Sequence, residues 1–322
     1  MYIVTGGAGF IGSAFIWKLN TLGVDDILAV DDLGTSEKWK NLVNRRYADY
    51  MPKDAFIDAV RRDVDFGAKA VVHMGACSST TETDAGYLMR NNFAYARDLC
   101  SYCLSRGIHF INASSAATYG DGAQGFDDDP DGLDELRPLN MYGYSKQLFD
   151  QWARRNGALS RIASLKFFNV FGPNEYHKGD MKSVACKAYA QIRETGSLRL
   201  FKSHREGFAH GEQRRDFIYV KDAVEVMARL LDRPAAAGLF NVGTGRARTF
   251  KDLGKAVFAA MGQTPSIEYV DMPVSLRDKY QYVTEACMKR LETALDGWRA
   301  TPLEEAVRDY VTGHLSQPDP YL

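Results

Sequence analysis

Tyr2-Ile3-Val4-Thr5-Gly6-Gly7-Ala8-Gly9-Phe10-Ile11-Gly12 opens the chain and decides its fold. A short apolar strand leads into glycines spaced both as G-x-G-x-x-G (Gly7, Gly9, Gly12) and as G-x-x-G-x-x-G (Gly6, Gly9, Gly12). From Ile11 to Leu19 the apolar residues then recur at helical spacing. Glycines in that place let the backbone turn tightly and approach a pyrophosphate seated at the helix N-terminus. A second strand, Ile27-Leu28-Ala29-Val30, ends in Asp31 and Asp32, at the distance beyond Gly12 expected of an acid that bonds an adenine ribose. A glycine turn alone could simply pack a helix on a strand. Strand, glycines, helix and acid in that order make it a dinucleotide cradle.

Outward from the cradle, strand-like runs at 2–5, 27–31, 69–73, 109–113 and 162–167 alternate with helical stretches at 10–22, 53–63, 86–106 and 142–156. Short apolar strands such as Val71-Val72-His73 suit burial on both faces, and the alternation predicts an α/β fold with a doubly wound parallel sheet of Rossmann type. After Asn169 the character changes. Residues 175–216 hold mixed charge and a helix at 181–195. Asp216 to Val220 reads as a strand, Asp222 as the cap of a helix at 223–232, and Leu239-Phe240-Asn241-Val242 as a further strand. We expect a dinucleotide-binding domain from 1–168 and 216–243, and a second, smaller α/β substrate-binding domain from 169–215 and 244–322. The acidic run Asp127-Asp128-Asp129-Pro130-Asp131 reads as a solvated loop.

Composition bounds the function. The 322 residues are 45% hydrophobic and 25% charged, as in a soluble globular protein, and a net charge of -1 argues against binding nucleic acid or an anionic membrane. No apolar run approaches the roughly 18 residues that span a bilayer. The chain enters a strand at once without a basic leader, so a cytoplasmic location without a signal peptide is expected. Five scattered cysteines suit a reduced compartment. Cys100 and Cys103 form a C-x-x-C inside a helical apolar pattern and are expected to pack; no spacing suggests a metal site.

The second decisive stretch is Tyr142-Gly143-Tyr144-Ser145-Lys146. Four residues apart on a helix, Tyr142 and Lys146 share a face, while Tyr144 points away. A free phenol titrates near ~10, and a neighbouring ammonium together with an oxidised nicotinamide would lower that value toward a usable base. The strand at 109–113 delivers Ser114 and Ser115 to its C-terminal end, the edge where ligands bind. Either hydroxyl could bond the substrate oxygen, and the register before Ala116-Ala117-Thr118-Tyr119-Gly120 favours Ser115. A dinucleotide beside an activated tyrosine moves hydride to and from an alcohol carbon.

These motifs resemble the extended short-chain dehydrogenase/reductase family, whose members mostly modify nucleotide sugars, and the resemblance runs end to end. Within it, Gly75-Ala76-Cys77-Ser78-Ser79-Thr80-Thr81-Glu82, the segment 113–120, Phe168 to Pro173 with His177-Lys178-Gly179, Arg215-Asp216-Phe217 and Tyr280-Gln281 are similar to its ADP-heptose 6-epimerase branch. The resemblance implies an isomerase with no net redox change. Hydride leaves C6″ of an ADP-heptose, a ketone forms, and the hydride returns to its other face. Two bases, matching Tyr142 and Lys178, serve the two orientations. It implies cofactor contacts from Gly6, Gly9, Phe10, Ile11, Gly12, Asp31, Asp32, Lys38, Lys53, Asn91, Lys146 and Val170, with Met74, Gly75, Ala76, Cys77 and Ser78 at a strand end. Substrate contacts are implied for Ser115, Asn169, Asp180, Lys187, Phe201, Lys202, Ser203, His204, Arg215 and Tyr280, the arginine gripping a diphosphate.

The branch uses NADP. Asp31 and Asp32 would favour a free ribose 2′-hydroxyl and Lys38 or Lys53 a 2′-phosphate, so NADP is expected and NAD stays open. A homo-oligomer, pentameric in the branch, and a place in lipopolysaccharide inner-core precursor synthesis are also implied. Met74 stands where the branch has Glu, Asp180 where it has Ser, and Lys187 where it has His; the segment 202–214 is longer. Another nucleotide-sugar epimerase, such as a UDP-galactose 4-epimerase, shares all but the sugar pocket. A 4,6-dehydratase would need carboxylates where Ala116 and Ala117 follow Ser115, and a cofactor-sensing protein of the same fold would need no base.

Overall fold

The computed structural model describes every residue except Asp278 and Lys279. Its strands, in chain order, are β1 (Tyr2–Thr5), β2 (Ile27–Asp31), β3 (Asp49–Pro52), β4 (Ala70–His73), β5 (His109–Ser115), β6 (Ala163–Phe167), β7 (Asn169–Phe171), β8 (Leu198–Phe201), β9 (Arg214–Tyr219), β10 (Gly238–Val242), β11 (Ala247–Thr249) and β12 (Ile267–Val270). Seven of them form one parallel sheet in the order β3-β2-β1-β4-β5-β6-β10. The order reverses between β1 and β4, and this switch point opens a crevice at the carboxyl ends of the strands. β2, β4, β6 and β10 are buried along their whole length, so their apolar runs need no alternation.

Helices α1 (Phe10–Thr21), α2 (Lys53–Arg61), α3 (Ala85–Leu88), α4 (Tyr95–Ser105), α5 (Met141–Arg155), α6 (Val184–Thr195), α7 (Val220–Leu231) and α8 (Phe250–Ala260) connect these strands. α1 packs on α7, while α4 packs on both α2 and α5, so the sheet is covered on two faces. Two smaller sheets, β11-β9-β7 and β12-β8, form beside the large one. α8 packs against α6 and β8 there. β9 runs straight into α7 and so joins the small sheet to the large one.

Several local expectations change. The edge strand β3 has no apolar alternation and ends in Pro52, which an edge tolerates because no outer neighbour needs the N–H that proline lacks. The helix expected at 86–106 is interrupted by a π-turn, Met89–Ala94, between α3 and α4. α6 starts three residues later than expected, with the Ser183 side chain capping the Cys186 amide. α7 begins at Val220, so Asp222 is not its cap. Instead it accepts hydrogen bonds from the Thr301 amide and hydroxyl, at 2.9 and 2.8 Å. The acidic run is not wholly solvated either. Asp128 is fully buried and accepts the Asn241 amide at 2.6 Å. Cys100 and Cys103 are buried, free thiols, their titration pushed up by burial. Among the described residues no helix is long and apolar enough to cross a membrane.

Candidate active site

The cradle forms where β1 and β4 end side by side, with Thr5 in register with His73. Gly6 turns back at φ +66°, and a Cβ there would stand 2.7 Å from the Gly75 amide nitrogen. At Gly12 a Cβ would stand 2.0 Å from the Gly6 carbonyl oxygen, so only glycine lets α1 start this close to the loop. No side chain caps α1 at Gly9 and its first turn holds no acid, which leaves its first amides free for an anion. The following loop is fixed by backbone bonds from Met74 to the Thr5 carbonyl (3.0 Å) and from Gly75 to the Thr5 hydroxyl (3.3 Å). Burial drives His73 down to about 3, so its ring is neutral, and Nδ1 shares a 2.6 Å hydrogen bond with the Thr5 hydroxyl.

Asp31, at the end of β2, is already engaged. One carboxylate oxygen accepts the Ala8 amide at 2.8 Å and the other pairs with the Lys38 ammonium at 2.7 Å. Asp32 is exposed and closes a turn on the Gly34 amide. Lys53, at the start of α2, pairs with its neighbour Asp54 at 2.9 Å. The segment Met74 to Ser78 follows β4, and Asn91 sits in the π-turn, donating to Asn92 at 3.0 Å. Asn92 is a residue the sequence reading missed. Its buried amide bonds both the Cys77 amide and carbonyl at 2.9 Å and the Ser145 hydroxyl at 3.1 Å. The π-turn thus aims one side chain at both the β4 loop and α5.

Ser115 ends β5, and Tyr142 lies in the first turn of α5, whose start is capped by Asn140 on the Gly143 amide at 2.8 Å. The Ser115 side chain stands beside the Tyr142 phenol and favours its ionised form. Ser114 points elsewhere: it is buried and donates to Asp150 at 2.5 Å. Tyr144 faces solvent. One expectation needs correcting. Lys146 does not depress the phenol in the protein alone; burial raises Tyr142, and only the neighbouring Ser115 opposes it. The Lys146 ammonium is buried and donates to the Ala113 carbonyl at 2.7 Å, and burial lowers it to about 8.

Beneath these groups lies a buried polar set. Asp150 accepts Ser114 and, at 2.9 Å, Ser164; Lys166 stands 4.0 Å away and donates to Thr118 at 2.8 Å. Asp150 follows Tyr142 and Lys146 at the next helical interval, which was the one sequence signal for it.

Lys178 lies in the short turn Tyr176–Met181. Its ammonium is 5.2 Å from the centroid of the Phe10 ring and is lowered by burial. Arg215, on β9, is buried between Tyr280 and Phe250, at 5.1 and 5.6 Å from their ring centroids. It donates to the Arg214 carbonyl at 2.8 Å, and no carboxylate of the described residues pairs with it. A buried, unpaired guanidinium between aromatic rings is suited to a phosphate. Gln281 donates to the Gly120 carbonyl and so ties the Tyr280 segment to the loop after Ser115. Asn169 and Val170 lie on β7 beside β9, with Thr284 3.5 Å from Asn169. Phe201 ends β8.

The remaining candidates face other partners. Asp180 and Lys187 are exposed, the Lys187 ammonium on the Asp180 carbonyl. Lys202 pairs with Asp271 at 3.3 Å. Ser203 donates its amide to His210 (3.1 Å), and His204 donates its amide to the Tyr282 hydroxyl (3.0 Å).

The chain belongs to the NAD dependent epimerase/dehydratase family, whose sequence profile matches residues 2–243. It is 62% identical over the whole of both chains to the ADP-L-glycero-D-manno-heptose-6-epimerase of Nitratidesulfovibrio vulgaris, and 47% identical over the whole of both to that of Fusobacterium nucleatum. The likeness expected from 75–82 and His177-Lys178-Gly179 therefore extends along the entire chain, and within the family it stands with the ADP-L-glycero-D-manno-heptose-6-epimerases. Two solved structures share the fold at 24% identity. The Helicobacter pylori ADP-L-glycero-D-manno-heptose-6-epimerase has a TM-score of 0.82, covering 97% of this chain and 95% of that one. Thermus thermophilus UDP-glucose 4-epimerase in complex with NAD has a TM-score of 0.74, covering 96% and 97%.

Proposed function

We propose that this protein epimerises ADP-D-glycero-D-manno-heptose to ADP-L-glycero-D-manno-heptose at C6″ with NADP as its resident cofactor. The substrate assignment is carried by full-length identity to proteins of that name. The chemistry is carried by Tyr142 and Ser115, which stand together at the open end of β5, beside the cradle. Residues fit a dinucleotide: Gly6 and Gly12 keep clear the space a Cβ would fill, the first amides of α1 are uncapped, and Lys38 holds a cation over Asp31.

Acceptance of hydride from C6″ and its return is the chemistry that the bound nicotinamide supplies. Ser115 holds the substrate oxygen and the phenol in line, and Tyr142 takes and returns the proton on that oxygen in one orientation of the sugar. Lys178 serves as base in the other, because the two faces of a ketone need proton exchange in two geometries. Lys146, held by the Ala113 carbonyl, would donate to the cofactor ribose. Arg215 takes the substrate diphosphate. In this reading 1–168 with 216–243 binds the cofactor and 169–215 with 244–322 binds the sugar. The protein is a cytoplasmic homo-oligomer that makes a precursor of the lipopolysaccharide inner core.

The deciding experiment is NMR of C6″ stereochemistry after incubating the D-glycero substrate with NADP-loaded protein. Conversion to an equilibrium mixture without net NADPH supports the reading. No conversion with cofactor bound moves the substrate to another nucleotide sugar.

A further inference from the structure

Lys178 has no carboxylate to hold it: among the described residues its ammonium forms no ion pair and rests over the ring of Phe10. Its position is therefore inherited from the turn that carries it. That turn is tied to the cradle through Asn41, which lies in the 3-10 turn Glu37–Leu42 together with Lys38. Asn41 is buried, and its amide nitrogen stands 2.9 Å from the Ala8 carbonyl in the glycine loop, 3.1 Å from the Asn174 carbonyl and 3.2 Å from His177 Nδ1. Two of those neighbours are carbonyls, which only accept, so the nitrogen and not the oxygen of the amide must face them. Asn41 thereby gathers the Asn174 carbonyl and the residue next to Lys178 on one amide.

Asn174 is itself pinned. It is fully buried in a left-handed conformation (φ +77°), donates to Ser13 of α1 at 2.9 Å and accepts the Leu322 amide at 3.0 Å. His177 stays uncharged, lowered to about 4 by burial with Lys38 and Lys178 nearby, so the tie is one of hydrogen bonds.

We infer that Asn41 is a positioning residue that fixes the Lys178 turn to the dinucleotide cradle. The inference rests on the reading of Lys178 as the second base. Tyr142, Ser115 and Lys146 are anchored separately, on α5 and β5, so loosening Asn41 disturbs one base and leaves the other in place. The defect is one-sided: hydride removal slows from only one of the two C6″ epimers.

The test uses NADP-loaded Asn41→Ala and Asn41→Ser, the second retaining one donor, mixed with each ADP-heptose epimer separately. The transient reduction of the nicotinamide is followed by absorbance. Cofactor affinity and the melting temperature are measured beside it, and the rate of amine labelling at Lys178 is read by peptide mass spectrometry. The expected result is retained cofactor, oxidation of one epimer slowed about tenfold or more, and faster labelling of Lys178 with Lys146 unchanged. The slowed epimer is the one that Lys178→Met also slows.

Equal slowing of both epimers, wild-type rates with both, unchanged labelling, or failure of both variants to fold with cofactor overturns the inference. If Lys178→Met itself slows both epimers equally or neither, the two-base reading fails instead. The labelling rate then still decides whether Asn41 holds the turn.

Discussion

Lys38 sets its ammonium 2.7 Å from one oxygen of Asp31, whose other oxygen is already held by the Ala8 amide. An acid so engaged has less to offer a ribose hydroxyl, and the cation beside it suits a 2′-phosphate. Lys38→Ala is therefore expected to weaken NADP about tenfold and leave NAD little changed, as a charge-assisted bond is lost. Calorimetric titration of both cofactors measures this, and an unaltered ratio would remove Lys38 from the choice.

Tyr142 is the group whose loss separates binding from turnover. Tyr142→Phe keeps the ring and its packing but deletes the hydroxyl beside Ser115. We expect cofactor binding to persist while turnover falls by roughly 10²- to 10⁴-fold, the usual contribution of a positioned acid–base group. Near-normal turnover would sink the assigned role.

The proposed contact of Lys146 with the cofactor ribose predicts a pH dependence of cofactor binding. Burial lowers it to about 8, so it is cationic below that value and loses its charge as pH rises through it. Cofactor affinity should fall across that window. In Lys146→Met affinity should be weaker and flat with pH, and a persistent step there would assign the titration to another group.

Asp128 offers a stability test at a residue outside the proposed catalytic set. Burial raises it to about 6, with Arg290 no closer than 4.0 Å. A carboxyl raised in the folded state binds its proton more tightly there than in the unfolded chain, so its stabilising contribution is lost as pH climbs from about 4 to 6. Asp128→Asn should escape that loss. Its melting temperature should gain on the parent protein between pH 4 and pH 7, by at most about 3 kcal/mol of stability. An advantage that does not grow with pH would mean that the buried carboxylate is better satisfied than its contacts indicate.

Six strands of the large sheet were legible because they are largely buried and read as plain apolar runs, with glycines and an acid at fixed offsets after the first two; the exposed edge strand β3 has no such run. Tyr142 and Lys146 were legible for the same reason: a helical repeat is a local property of the chain. β7, β8, β11 and β12 were not, being three or four residues long and stabilised by neighbours rather than by pattern. The π-turn that aims Asn92 was hidden inside an ordinary helical periodicity. Asp128 looked solvated because an acidic run says nothing of the Asn241 amide that meets it.

The sequence by itself determined the doubly wound fold, the cradle and the spacing of tyrosine and lysine, since each depends on residues a few positions apart. Only the tertiary structure decided which serine meets Tyr142, that Lys146 bonds Ala113 rather than tuning the phenol, and that Arg215 is bracketed by rings. It alone brought Asn41 to Asn174, 133 positions away in the chain. Such contacts are chosen by the packing of whole helices and sheets, and no short-range pattern carries that information.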